Sequence, residues 1–139
     1  VLLDPESLDL SEEQGLLADC RLADATALFN SGDWYACHDS FEALWHETAG
    51  DMRPVLQGIL QIAVAEFHLE RGNIRGATIL MGEGLGRLKA CPPDALELDL
   101  VALCDCALQR LQALQQQKSL EGMELPRLLQ VQCLYRSVD

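Results

Sequence analysis

From Pro54 to Arg71 the chain has almost no polar face. Val55, Leu56, Ile59, Leu60, Ile62, Ala63, Val64, Ala65, Phe67 and Leu69 occupy every side of a helical wheel. A helix that is apolar all round must be enclosed by other elements, because one neighbour cannot shield it from water. Arg53-Pro54 opens it with proline in the first turn, where the missing N–H costs nothing. Gln57, Gln61, Glu66 and His68 interrupt the apolar run, which is too short for a bilayer span, so a membrane is excluded as partner. The fold class expected is all-α, a compact bundle of about five helices with a central apolar helix hairpin.

The flanking segments supply the other helices. Ser11 and Gln14 form a capping box for a first helix, whose stripe of Leu16, Leu17, Cys20, Ala23, Ala27 and Leu28 runs on to a stop at Asn30-Ser31-Gly32. Asp33 caps a second helix reaching about Thr48, with Gly50 closing it. Gly72-Asn73 turns the chain after the central helix, and Asn73 caps a fourth helix to about Ala90. Cys91-Pro92-Pro93 ends that helix and Asp94 caps a fifth, on which Leu100, Cys104, Ala107, Leu111 and Leu114 repeat at 4-3-4-3 spacing. Such a seam needs a partner helix, supplied by the chain's own bundle or by a second copy. The tail from 121 to 139 carries a short helical segment around Pro126–Gln132. No internal repeat is evident. Residues 1–139 read as one domain, with the fifth helix and the tail (94–139) packing on the rest.

Hydrophobic residues make up 49% of the chain but aromatics only 5%, which fits an aliphatic helical core better than a β-sandwich. The net charge of −12 is unevenly placed. Through Asp51 twelve acids face Arg21 alone, whereas from Met52 onward ten acids face nine bases. An acidic half of this kind repels phosphate backbones and excludes nucleic acid. It is a solvated surface or a docking face for a basic protein partner. Six cysteines (Cys20, Cys37, Cys91, Cys104, Cys106, Cys133) include no C-x-x-C pair. Cys104 and Cys106 diverge by about 200° on a helix. Val1-Leu2-Leu3, cut short by Asp4-Pro5, does not read as a secretory leader. Reduced cysteines and a cytoplasmic location are expected, or the plastid stroma for a plant chain.

The residues able to carry chemistry fall in two rows. His38 and Glu42 lie one helical turn apart, with Asp39, Trp34, Phe41 and Trp45 close by and His46 a turn further. Imidazole nitrogen and carboxylate oxygen both suit a divalent metal ion. Gln57, Gln61 and His68 share one face of the central helix, and buried polar groups need partners. The economical expectation is that the two rows meet inside the bundle. His38, Glu42, Trp45, Gln57, Gln61 and His68 would then form a structural network or line a ligand pocket. Alternatively, His38, Glu42 and His68 hold a metal ion for hydrolysis, with Glu42 and Asp39 in the catalytic role and Asp39 or Gln61 orienting the metal-bound water. A third reading is an oligomerisation or adaptor module working through the fifth-helix seam and the acidic first half. Gly82-x-Gly84-x-Gly86 lacks a preceding strand, so close helix packing explains its glycines better than phosphate binding, as it does for Gly58 and Gly76. Cys37 precedes His38, but adjacent helix positions diverge by about 100°, so the imidazole does not activate the thiol.

Three stretches carry a family resemblance. They are Phe29-x-x-Gly32-x-Trp34-Tyr35-x-x-His38-Asp39-x-x-Glu42-x-x-Trp45, then Leu56-Gln57-Gly58-x-x-Gln61-x-Ala63, then His68-x-x-x-Gly72-Asn73-x-x-Gly76-Ala77. Together they resemble the helical family called domain of unknown function 309, over about Ala27 to Leu88. Tyr35 to Asp39 is similar to its cyanobacterial and plastid branch. The resemblance implies a compact helical domain and no established activity. Some members carry the label of metal-dependent hydrolase, which rests on the same polar motif. Many relatives have Glu at the positions of Ala36 and Asp39, and the missing acid at Ala36 reduces the number of metal ligands available here.

Overall fold

A computed structural model describes residues 11–131. The described residues form six α-helices and one 3-10 turn, with no strand. Helix α1 (Glu12–Ala18) starts at Ser11, whose hydroxyl accepts from the Gln14 N–H (3.1 Å) while the Gln14 side chain accepts from the Ser11 N–H (3.3 Å). The helix expected to continue to Asn30 instead breaks at Asp19, which is extended (φ −84°, ψ 117°) and caps α2 (Cys20–Asn30). Aspartate competes with the helix for backbone N–H groups, and here its carboxylate takes that of Arg21 (2.9 Å). The Arg21 guanidinium then bridges Asp19 and Glu47. Beyond the break, α1 hooks two distant loops. The Glu12 carboxylate accepts from Gly50 and Met52 N–H (2.7 Å each), and Glu13 accepts from Leu96 N–H (2.7 Å).

Helices α3 (Trp34–Glu47), α4 (Arg53–Glu70) and α5 (Ile74–Lys89) lie where the sequence places them. The end of α3 differs in cause. Thr48 is extended there, Arg53 donates to the Trp45 and Thr48 carbonyls, and Gly50 instead donates its N–H to Glu12. A repeat missed in the residue pattern becomes visible in the backbone. Ser31-Gly32-Asp33-Trp34 and Arg71-Gly72-Asn73-Ile74 make the same turn, with Gly32 and Gly72 both at φ 77°. The caps that follow are also alike, at φ −85°, ψ 75° for Asp33 and φ −86°, ψ 79° for Asn73. Asp33 N–H donates to Leu28 O (3.0 Å) and Asn73 N–H to His68 O (2.8 Å). Corresponding positions are buried in both hairpins: Leu22 with Ile62, Ala25 with Ala65, Cys37 with Ala77, Phe41 with Met81. Of these pairs only Ala25 and Ala65 are identical, so side-chain comparison hides a geometry that only Gly and the cap residue require.

The α4–α5 pair is the most extensive helix contact. It is close because a Cβ on Gly84 would sit 2.9 Å from the Gly58 carbonyl oxygen, and one on Gly58 would sit 2.6 Å from Leu88. The packing explanation holds for these two glycines. A Cβ on Gly82 would make only ordinary contact with Leu111 (4.0 Å), Gly86 faces open space, and Gly76 is small to admit the Asn73 cap. After α5, Asp94 does not cap a helix. It precedes a 3-10 turn (Ala95–Glu97), and Asp99 caps α6 (Leu100–Gln115) by accepting from Ala102 N–H (3.0 Å). Leu100, Ala107, Leu111 and Leu114 are buried in the chain's own bundle, with Cys104 packed against that core. The tail is not helical over residues 126–131, and Gln132 lies outside the described residues. Its backbone bonds go sideways: Leu128 exchanges two with the Asn30 side chain (2.7 and 2.9 Å), and Leu129 O and Val131 N–H pair with Asp99 and Glu97.

The glycines give a paired test. Gly84→Ala, pressed against backbone, should destabilise by about 1–3 kcal/mol. Gly86→Ala, exposed and free of neighbours, should stabilise by up to about 1 kcal/mol. Urea midpoints of the two variants would show shifts of opposite sign.

Candidate functional site

The first polar row lies on the outside of α3. His38 Nε2 is 3.1 Å from Glu42 Oε2 and its Nδ1 is 3.1 Å from Asp39 Oδ1. His46 Nε2 stands 3.9 Å from Glu42 Oε1. All four side chains are about one-third exposed or more. A neutral imidazole has one N–H and can donate to only one of its two carboxylate neighbours. Trp45 packs against the core with the Arg53 guanidinium 3.9 Å above its ring, and its indole N–H is buried without an acceptor among the described residues.

The second row does not meet the first. Gln61 donates to Glu83 (3.2 Å) and accepts from Arg87 Nε (3.1 Å), so it faces α5. His68 Nδ1 lies 3.2 Å from the Asn73 side-chain nitrogen, where it buttresses the cap of α5. Gln57 is half-buried. The inward cluster expected from the sequence is therefore not formed, and His38, Glu42 and His68 are not assembled as a ligand set. Among the described residues no three His, Cys, Asp or Glu side chains are grouped to hold a metal ion. Helical spacing shows which side chains share a face, but not which neighbour that face meets.

The buried polar centre lies elsewhere. Arg110 of α6 donates from Nε to Glu66 Oε2 (2.7 Å) and from Nη2 to Oε1 (2.6 Å), a two-pronged bond between buried side chains. Its Nη1 donates to the Glu124 carbonyl (3.0 Å). Burial pushes the Glu66 carboxyl above its ordinary range, against the pull of Arg110 and with a smaller push from Glu70. Sequence reasoning missed this pair, although a signal existed. Glu66 is an acid one turn before the end of the most apolar helix, and Arg110 is the single base of α6, one turn from Ala107.

Above the pair opens a groove of about 850 Å³. The turn at Ser31-Gly32, Trp34, the end of α4, Ile74, the end of α6 and residues 117–120 and 125 enclose it. Its volume is that of a small-molecule site, and apolar walls over a few placed polar groups are what such sites present. Of the described cysteines none is in a disulfide, and Cys133 lies outside the described residues. Burial, with a smaller push from Asp33, drives the Cys37 thiol up to about 12, so it is inert beside His38.

Two outcomes follow. Arg110→Met leaves Glu66 buried without its partner and should cost about 3–5 kcal/mol. The double variant Glu66→Leu/Arg110→Met should cost less than Arg110→Met alone, as urea unfolding would measure. Cys37 titrates at 9.0 in an unfolded chain and near 12 when folded. The unfolded state therefore releases the proton first, and stability should fall as pH rises above about 9. In thermal melts across that range, Cys37→Ala should show a shallower decline.

Residues 22–80 match the sequence model of the family described as domain of unknown function (DUF309). The match covers 59 of the 139 residues, and over that part the chain is similar to this family. No curated protein matches the chain. The groove straddles the limit of the match: Ser31 to Ile74 lie inside it, Arg110 to Leu125 beyond it.

Proposed function

We propose that this chain is a ligand-binding helical domain rather than a hydrolase, and that the groove over Glu66 and Arg110 is its binding site. One observation carries the reading: a groove of about 850 Å³ stands over a buried ion pair, while His38, Asp39 and Glu42 lie on an open helix face. Hydrolysis through a metal-bound water needs three converging ligands and a sheltered cavity. Neither accompanies His38. The role of His38 and Glu42 is then to hold the surface of α3 together, with Asp39 as a second acceptor. The adaptor reading keeps only the acidic first half as a surface, because the α6 seam residues Leu100, Ala107, Leu111 and Leu114 are buried in the bundle. No helix among the described residues is long and apolar enough to cross a membrane, and the −12 charge disfavours nucleic acid.

Amide NMR on the intact chain tests this with two probes. Phenol should shift Gly32, Leu69, Lys118 and Ser119, and Zn²⁺ should produce no saturable response at His38 or Glu42. Saturable Zn²⁺ binding at His38, abolished by Glu42→Gln without loss of fold, together with no phenol response at the groove, would overturn the reading.

A further inference from the structure

We infer that the ligand of this groove is a short peptide with both ends free, its ammonium held at Glu70 and its carboxylate at Lys118. The inference rests on the groove being the binding site. Its charges come in two sets. Glu66 and Arg110 on the floor satisfy each other, so neither calls for a charged ligand. Glu70 and Lys118 also line the groove, both exposed, and neither has an ion-pair partner among the described residues. One comes from the end of α4 and the other follows α6, so both are fixed at helix ends. Glu70 is the last residue of α4, ahead of the Gly72 turn. Lys118 follows Gln117, whose φ of 56° ends α6, and its N–H donates to Ala113 O (2.8 Å).

A ligand of one sign would leave one of these two charges uncompensated. A zwitterion matches both. The apolar part of the lining comes from Trp34, Leu69, Ile74, Leu114, Leu120 and Leu125. They suit aliphatic side chains, and the Gln117 amide is on hand for a peptide group. A volume of about 850 Å³ leaves room for more than one residue. Lys118 and half of the walls lie outside the DUF309 match, so the carboxylate end would be a property of this chain's C-terminal part.

Isothermal titration and amide NMR with the dipeptide Leu-Leu test the inference, alongside N-acetyl-Leu-Leu, Leu-Leu-amide and free leucine. Leu-Leu should bind tightest and shift groove amides. Acetylation and amidation should each weaken it about two- to fivefold, the range of an exposed ion pair. Glu70→Gln should become indifferent to acetylation only, and Lys118→Gln to amidation only; both positions are exposed, so both variants should fold. Blocked and free peptides binding alike would overturn the zwitterion. Free leucine binding as tightly as Leu-Leu would overturn a peptide in favour of an amino acid. If no peptide binds but phenol still maps to the groove, the ligand class falls and the site stands. If phenol fails as well, both readings fall.

Discussion

The two-pronged bond between Glu66 and Arg110 is the constraint around which the rest is arranged. A carboxylate on the most enclosed helix could not be left bare, since an unpaired charge costs far more there than the pair does. Satisfying it fixes where α6 lies along α4, and the third contact of Arg110, to the Glu124 carbonyl, carries the constraint into the tail. An apolar pair of similar volume would often be at least as stable, so the retained charges set position more than they add stability. The groove exists because these elements converge on the pair without closing above it.

Around that centre the chain uses one turn twice. Two helical hairpins with matching Gly-cap junctions stack through α3 and α4, and α6 packs on the second hairpin. The Gly58–Gly84 approach draws α4 and α5 together more closely than larger side chains would permit. Surface ion pairs such as Arg21 with Asp19 and Glu47 add little energy, but they hold the end of α3 beside the break at Asp19.

Much of this was legible in the residues. Ser11, Asp33 and Asn73 are caps by chemistry and position, and the all-round apolarity of Pro54–Arg71 pointed to a central helix. What escaped depends on competition between similar local signals. Asp19 sits within an unbroken apolar stripe, yet its carboxylate claims the Arg21 N–H. Asp94 and Asp99 are equivalent as caps on paper, and the packing of Leu96 and Leu98 decides for the second. The site was harder still. Spacing placed His38 beside Glu42 correctly, but the face of Gln61 and His68 turned toward α5, a matter of helix rotation that periodicity leaves open.

The clasp between Asn30 and Leu128 has a consequence for synthesis. The amide that closes the end of α2 finds its partners 98 residues downstream, so the contact forms only after a long stretch of chain has left the ribosome. The first hairpin can coil as it emerges, but it cannot be locked until translation has passed residue 128. A chain interrupted before that point would present the end of α2 with its side-chain amide open to water.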